Sequence, residues 1–168
     1  MTRPAVVEVL VCGSPDRGDD GAAMTACEAV VRGTLPPGVH LRAVGQLDVE
    51  DLLAVPPEAQ VVIVDVATGV EPGAVVELPL ADLVERGTMR PRSSHALAVS
   101  STVALAELIR QRPLSGRVVA LGGAHFAMGD VLSTPVAAAM PRFAAAIREA
   151  VDHARADGVA SRGATPCA

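Results

Sequence analysis

Three carboxylates crowd the segment Gly13-Ser14-Pro15-Asp16-Arg17-Gly18-Asp19-Asp20-Gly21, directly after an apolar run ending at Val11-Cys12. Carboxylates repel one another, and strand packing has no use for three of them. Such a cluster calls for a cation, a proton or a basic partner. Two later segments offer one: Asp65, at the end of the apolar run Gln60-Val61-Val62-Ile63-Val64-Asp65-Val66, and His95 in Ser93-Ser94-His95-Ala96-Leu97. Carboxylate oxygen with imidazole nitrogen suits a divalent ion such as nickel or zinc. Asp20, Asp65 and His95 would give three ligands from three segments and leave positions open for water or a partner's group.

Each of these residues also has a plainer use. Asp19 or Asp20 can N-cap the following helix, worth roughly 1 kcal/mol, and Asp19 is the better cap if only one acts. Asp65 can be a turn residue after a strand. His95 can be a loop histidine bonded to backbone.

Other chemistries fit less well. A dinucleotide fingerprint needs a glycine two residues after the first, and Gly13-Ser14-Pro15 lacks it. Three carboxylates would also repel a pyrophosphate from that helix N-terminus. Ser93 and Ser94 adjoin His95, yet no G-x-S-x-G elbow exists for a serine nucleophile. Cys12 lies in an apolar strand and reads as core, and His125 reads as a structural histidine beyond the last strand.

The elements that would position these groups alternate in type. Residues 5–12 read as a buried strand, short, β-branched and bounded by Pro4 and Gly13. Met24, Cys27, Val30 and Val31 then fall on one helical face, closed by Gly33. Further strands are expected at 39–44, 60–66, 74–78 and 117–121, the fourth antiparallel because only a turn precedes it. Asp48 can cap a short helix, 82–86 a helical turn, and 99–112 an amphipathic helix. Residues 87–95 read as loop. Ser133-Thr134-Pro135 starts a helix expected to reach about Ala156, with Pro141 as a possible kink site.

This alternation argues an α/β fold, a three-layer sandwich with a mainly parallel sheet of about five strands flanked by helices. In such sheets ligands sit beyond the carboxyl ends of the strands. The acidic loop and Asp65 would share that edge. One domain over 1–157 is expected, with 158–168 as a disordered tail.

Bulk properties narrow the function. At 168 residues and 50% hydrophobic, the chain can bury a core of its own. A net charge of −5, with no basic block, makes nucleic acid an unsuitable partner. The sequence contains no lysine, which excludes Schiff-base and P-loop-lysine chemistry and also fits a GC-rich genome. Three scattered cysteines without CxxC argue against a zinc ribbon or a disulfide framework. No run approaches membrane-span length. A soluble monomer of the cytoplasm is the expectation.

The ordered blocks resemble the hydrogenase maturation proteases, which trim the large subunit of nickel-iron hydrogenases. That family opens with an apolar strand, Gly-Asn, then Asp-(Asp/Glu)-x-x-Gly. Here these are Gly13-Ser14 and Asp19-Asp20-Gly21. A strand ending in Asp, then Gly and Pro-Gly, is matched by Asp65, Gly69 and Pro72-Gly73, and Ser/Thr-Ser/Thr-His by Ser93-Ser94-His95. The resemblance spans roughly residues 6–122.

It implies a twisted sheet flanked by helices, with Asp20, Asp65 and His95 binding nickel already seated in the hydrogenase precursor. One cut would release a short C-terminal extension, with Asp19 or Asp16 as a spare carboxylate able to take a proton. Two rivals are a nickel-sensing protein that docks on the precursor without cutting and a small-metabolite metallohydrolase. The chain departs from the family at Ser14, where Asn is usual. It departs again after Leu121, where Gly122-Gly123-Ala124-His125-Phe126 replaces an acidic, Pro-containing continuation.

Overall fold

A computed structural model describes residues 5–87 and 94–163, with the side chains of 84–87, 94–98 and 162–163 outside the described set. The elements are β1 (Val7–Cys12), a 3-10 turn (Gly18–Gly21), α1 (Ala22–Val31), β2 (Val39–Gly45), α2 (Val49–Leu53), β3 (Gln60–Ala67) and β4 (Val75–Pro79). They continue as α3 (Leu80–Gly87), α4 (Ser94–Arg110), β5 (Gly116–Gly122) and α5 (Thr134–Gly163). The sheet order is β2-β1-β3-β5-β4, parallel except for β4 against β5. This is the expected α/β sandwich.

Strand chemistry explains the layers. All eight residues of β3 are buried, as a central parallel strand covered on both faces requires. Side chains alternate between two cores. Val7, Val9, Val11, Val62, Val64 and Val66 pack with α1 and α5, where Phe143 and Ile147 are buried. Leu10, Cys12, Val61 and Ile63 pack on the other face with Leu52 of α2, Leu80 of α3 and Val103 of α4. By the same period of two, Asp65 belongs to the α4 face.

Several boundaries differ from the sequence expectations. β3 runs to Ala67, so Asp65 lies inside the strand. α3 is a full eight residues. α4 begins at Ser94, which makes His95 helical, while 88–93 of the expected loop lie outside the described residues.

The expected tail is helical as far as Gly163; residues 164–168 lie outside the described set. Gly158 explains the extension. A Cβ there would sit 3.0 Å from Ala5 Cβ and 3.3 Å from Gln60 Cγ, so its lack of a side chain lets α5 close on the start of the sheet. Pro141 occupies an exposed position of α5, and the helix continues through it.

Arg110 ties the end of α4 to the end of α2. Its Nη1 donates to the carbonyls of Leu52 and Val55, both at 2.8 Å. Leu52 belongs to the last turn of α2, and Val55 lies just beyond it. Arg110→Met is expected to cost ~2 kcal/mol, the scale of hydrogen bonds to a charged donor, in a urea melt. An unchanged melt would show those carbonyls to be satisfied without it.

Candidate active site

β1 and β3 are neighbours, and their carboxyl ends open on the crevice where ligands collect in sheets of this order. A pocket of about 400 Å³ lies there, lined among others by Cys12, Ser14, Arg17, Asp20, Asp65 and Phe126. Two of the expected site residues, Asp20 and Asp65, therefore share one cavity.

Asp20 is half-buried, and its Oδ2 accepts the Ser14 N–H at 2.8 Å. The backbone makes this contact, so Ser in place of Asn at position 14 leaves it intact. Gly13 permits the tight loop: its φ is +110°, and a Cβ would lie 2.2 Å from the Asp20 carbonyl oxygen. Gly13→Ala combines a disfavoured φ with a backbone clash. It is expected to cost ~3 kcal/mol and to displace Asp20, seen as a lowered Tm with loss of activity. A wild-type Tm would show that the loop relaxes freely.

Asp65 is 3% exposed, and its Oδ1 accepts the Val66 N–H at 2.8 Å. Cys12, also buried, lies on the same face of the sheet. Burial first, and then the charges of Asp65, Asp51 and Asp20, push its thiol far above the usual range. Cys12 is thus a protonated wall, as a nucleophile cannot be.

Asp19 does something the sequence did not disclose. It is fully buried, and its carboxylate accepts four hydrogen bonds from the segment after β5. Oδ2 takes the N–H of Ala124 and His125, both at 2.8 Å, and the Ser133 hydroxyl at 2.7 Å. Oδ1 takes the Ser133 N–H at 2.6 Å. Burial alone would raise its pKa, yet these donors hold it below the ordinary carboxylate value. Neither Asp19 nor Asp20 caps α1, whose N-cap is Gly21 with no side-chain bond; the capping expectation is corrected. Asp19 is a clamp between two loops, poorly suited to take a proton.

That clamp also places residues the sequence reading missed. Phe126 lines the pocket, and the His125 carbonyl accepts the Asp19 N–H at 2.8 Å. The His125 side chain is exposed, so this histidine serves the site through its backbone. Arg17 brings an exposed guanidinium to the pocket. Asp16 is exposed and does not line it.

His95 lies in the first turn of α4, one turn before Val99, which lines the pocket. Its side chain is outside the described set. Among the described residues no group of three His, Cys, Asp or Glu side chains is placed to hold a metal ion. Two members of the expected trio, Asp20 and Asp65, face the pocket.

The family model for hydrogenase maturation protease, HycI, matches residues 34–150. The chain belongs to the hydrogenase maturation protease family. The matched stretch holds Asp65 and His95, while Asp20 precedes it. A search among curated proteins gave no match.

Solved structures agree on the fold. The nickel-iron hydrogenase maturation protease HybD from Thermococcus kodakarensis superposes with a TM-score of 0.68 at 21% identity, over 86% of this chain and 97% of that one. The hydrogenase maturating endopeptidase HybD from E. coli gives 0.65 at 18%, over 86% and 93%. HycI from Thermococcus kodakarensis KOD1 gives 0.65 at 18%, over 90% and 95%. This hydrogenase maturation protease thus shares its α/β architecture with them across nearly their whole length. Among its described residues no helix is long and apolar enough to cross a membrane.

Proposed function

We propose that this protein is an endopeptidase that removes the C-terminal extension of a nickel-iron hydrogenase large-subunit precursor after nickel insertion. The observation that carries the reading is the shared pocket of Asp20 and Asp65 at the carboxyl ends of β1 and β3 in a chain of this family. Nickel arrives with the substrate, and Asp20, Asp65 and His95 are the residues assigned to meet it.

The donor set supports this. Asp20 Oδ2 is held by Ser14, while Oδ1 has no protein partner among the described residues. A fixed carboxylate with one oxygen turned to other use is suited to a divalent cation such as nickel. Nickel in the precursor supplies a Lewis acid for the scissile carbonyl. Hydrolysis also requires a group to take the proton of the attacking water and return one to the leaving amine. We assign that work to the pocket carboxylates rather than to Asp19, whose oxygens are already committed. Phe126 and Val99 give the pocket part of its apolar wall. The protein is assigned to the cytoplasm and acts as a monomer.

The test is the mass of the precursor after mixing with the purified protein. A single lighter product, with the missing mass recovered as one C-terminal peptide, is expected. Binding with no change of mass would replace this reading by a docking protein that senses nickel.

A further inference from the structure

Among the described residues, β2 stands at the edge of the sheet and pairs only with β1. The Val7 N–H donates to the Gly38 carbonyl at 2.9 Å, which fixes the phase of this parallel ladder. His40 and Arg42 then turn their N–H and C=O toward β1, until the register shifts between Val11 and Cys12 and the Gly45 carbonyl accepts the Gly13 N–H at 2.7 Å. Leu41 and Ala43 turn theirs off the sheet. Edges are commonly guarded by lysine or proline, and residues 39–45 contain neither. Arg42 does not guard this one: its guanidinium is engaged by Asp51 of α2, at 2.6 Å to Oδ1 and 2.9 Å to the carbonyl.

Two further features flank this edge. On its α1 side lies a groove of about 430 Å³ lined by Met24, Cys27, Glu28, Val31, Arg32 and Leu41. At its carboxyl end, Gly45, Gln46 and Leu47 line the pocket that holds Asp20 and Asp65. An added strand would form main-chain hydrogen bonds along β2 and place alternate side chains over the groove. It would also run in line to the carboxylates.

We infer that the free edge of β2 receives an extended segment of the precursor as an extra strand, with one apolar side chain in the Met24–Leu41 groove. This rests on the protease reading above. Leu41 to Gly45 spans roughly 13 Å of strand, so the apolar residue sits about four residues from the bond to be cut. The occupant is a peptide of the substrate rather than a second copy of this chain, because the edge leads into the pocket.

Ala43→Pro deletes one outward N–H and no bond to β1, a position where edge strands accept proline. Met24→Glu places a charge in the groove. Each is expected to raise KM for the nickel-loaded precursor about tenfold with kcat within about twofold of wild type. Both variants cutting at wild-type KM would overturn edge docking and leave the protease reading standing.

Hydrogen exchange covers the case of a misfolded variant. On the Asp20→Asn chain, expected to leave the precursor uncut, the Leu41 and Ala43 amides should exchange more slowly once precursor is added. Unchanged exchange there, with slowing around the pocket, overturns the proposal. Sedimentation showing a dimer whose Leu41 and Ala43 amides are already slow would give the edge to a second copy and overturn it too. Wild-type protein that binds without cutting refutes the protease reading, and exchange at the edge then judges this docking mode separately.

Discussion

Asp20→Asn is expected to lower precursor processing by ~10³-fold or more, the scale of a lost catalytic carboxylate, while the fold is unchanged. The substitution keeps the shape of the side chain. Its amide oxygen can still accept the Ser14 N–H that holds the loop at 2.8 Å. What disappears is the negative charge that faces the pocket beside Asp65. Stability should therefore stay within ~0.5 kcal/mol of wild type, as for a replacement that removes no buried contact. A single-turnover assay on the precursor, with a thermal melt in parallel, reads both quantities. Processing at even a tenth of the wild-type rate would remove Asp20 from the chemistry.

Asp19→Ala is expected to fail in the opposite way, through stability. The alanine leaves three backbone N–H groups and one hydroxyl without their acceptor, on Ala124, His125 and Ser133. A fully buried donor stripped of its partner costs ~1–3 kcal/mol, and these donors are only part-buried, so water entering the gap recovers part of that. A loss of ~3–4 kcal/mol in urea denaturation is the expected sum. The same clamp positions Phe126, so activity falls with it, and less in Asp19→Asn, which retains an acceptor oxygen. A loss under ~1 kcal/mol would show the loop to be held by its other contacts.

The clamp carries a pH signature. Its carboxyl is held below the ordinary value of 3.8 in the folded chain. The folded state therefore binds this proton more weakly than the unfolded state. The associated stability is present above that ordinary value and is lost as pH falls through the lower folded value. Stability measured on acidification should decline less steeply in Asp19→Asn than in wild type. Parallel declines would assign the acid sensitivity to other carboxylates.

Much of the architecture was legible because its signals are local. Valine-containing runs of five to eight residues declared all five strands, and the short turn at Gly69–Gly73 made β4 antiparallel to β5. The carboxyl end was not legible: the helix expected to stop near Ala156 runs on to Gly163, and Gly158 there allows close contact with Ala5 and Gln60, a tertiary reason invisible in the local pattern. The acidic loop drew attention for its charge, but its members separated by distant partners. Asp19 meets residues more than a hundred positions later, and Asp20 meets Ser14 six positions earlier. Spacing alone could not divide a clamp from a pocket ligand. Phe126 and Arg17 entered the pocket for the same reason, through the fold of the β5–α5 connection and the 3-10 turn.

The most direct measurement compares nickel-loaded with nickel-free precursor as substrates for the same preparation of this protein, read by intact mass. The account predicts one C-terminal cut in the nickel-loaded precursor and none in the nickel-free one. Equal cutting of both would contradict a role for Asp20, Asp65 and His95 in meeting the metal. Cutting of neither, in a cognate precursor shown to be folded, would contradict the endopeptidase assignment itself.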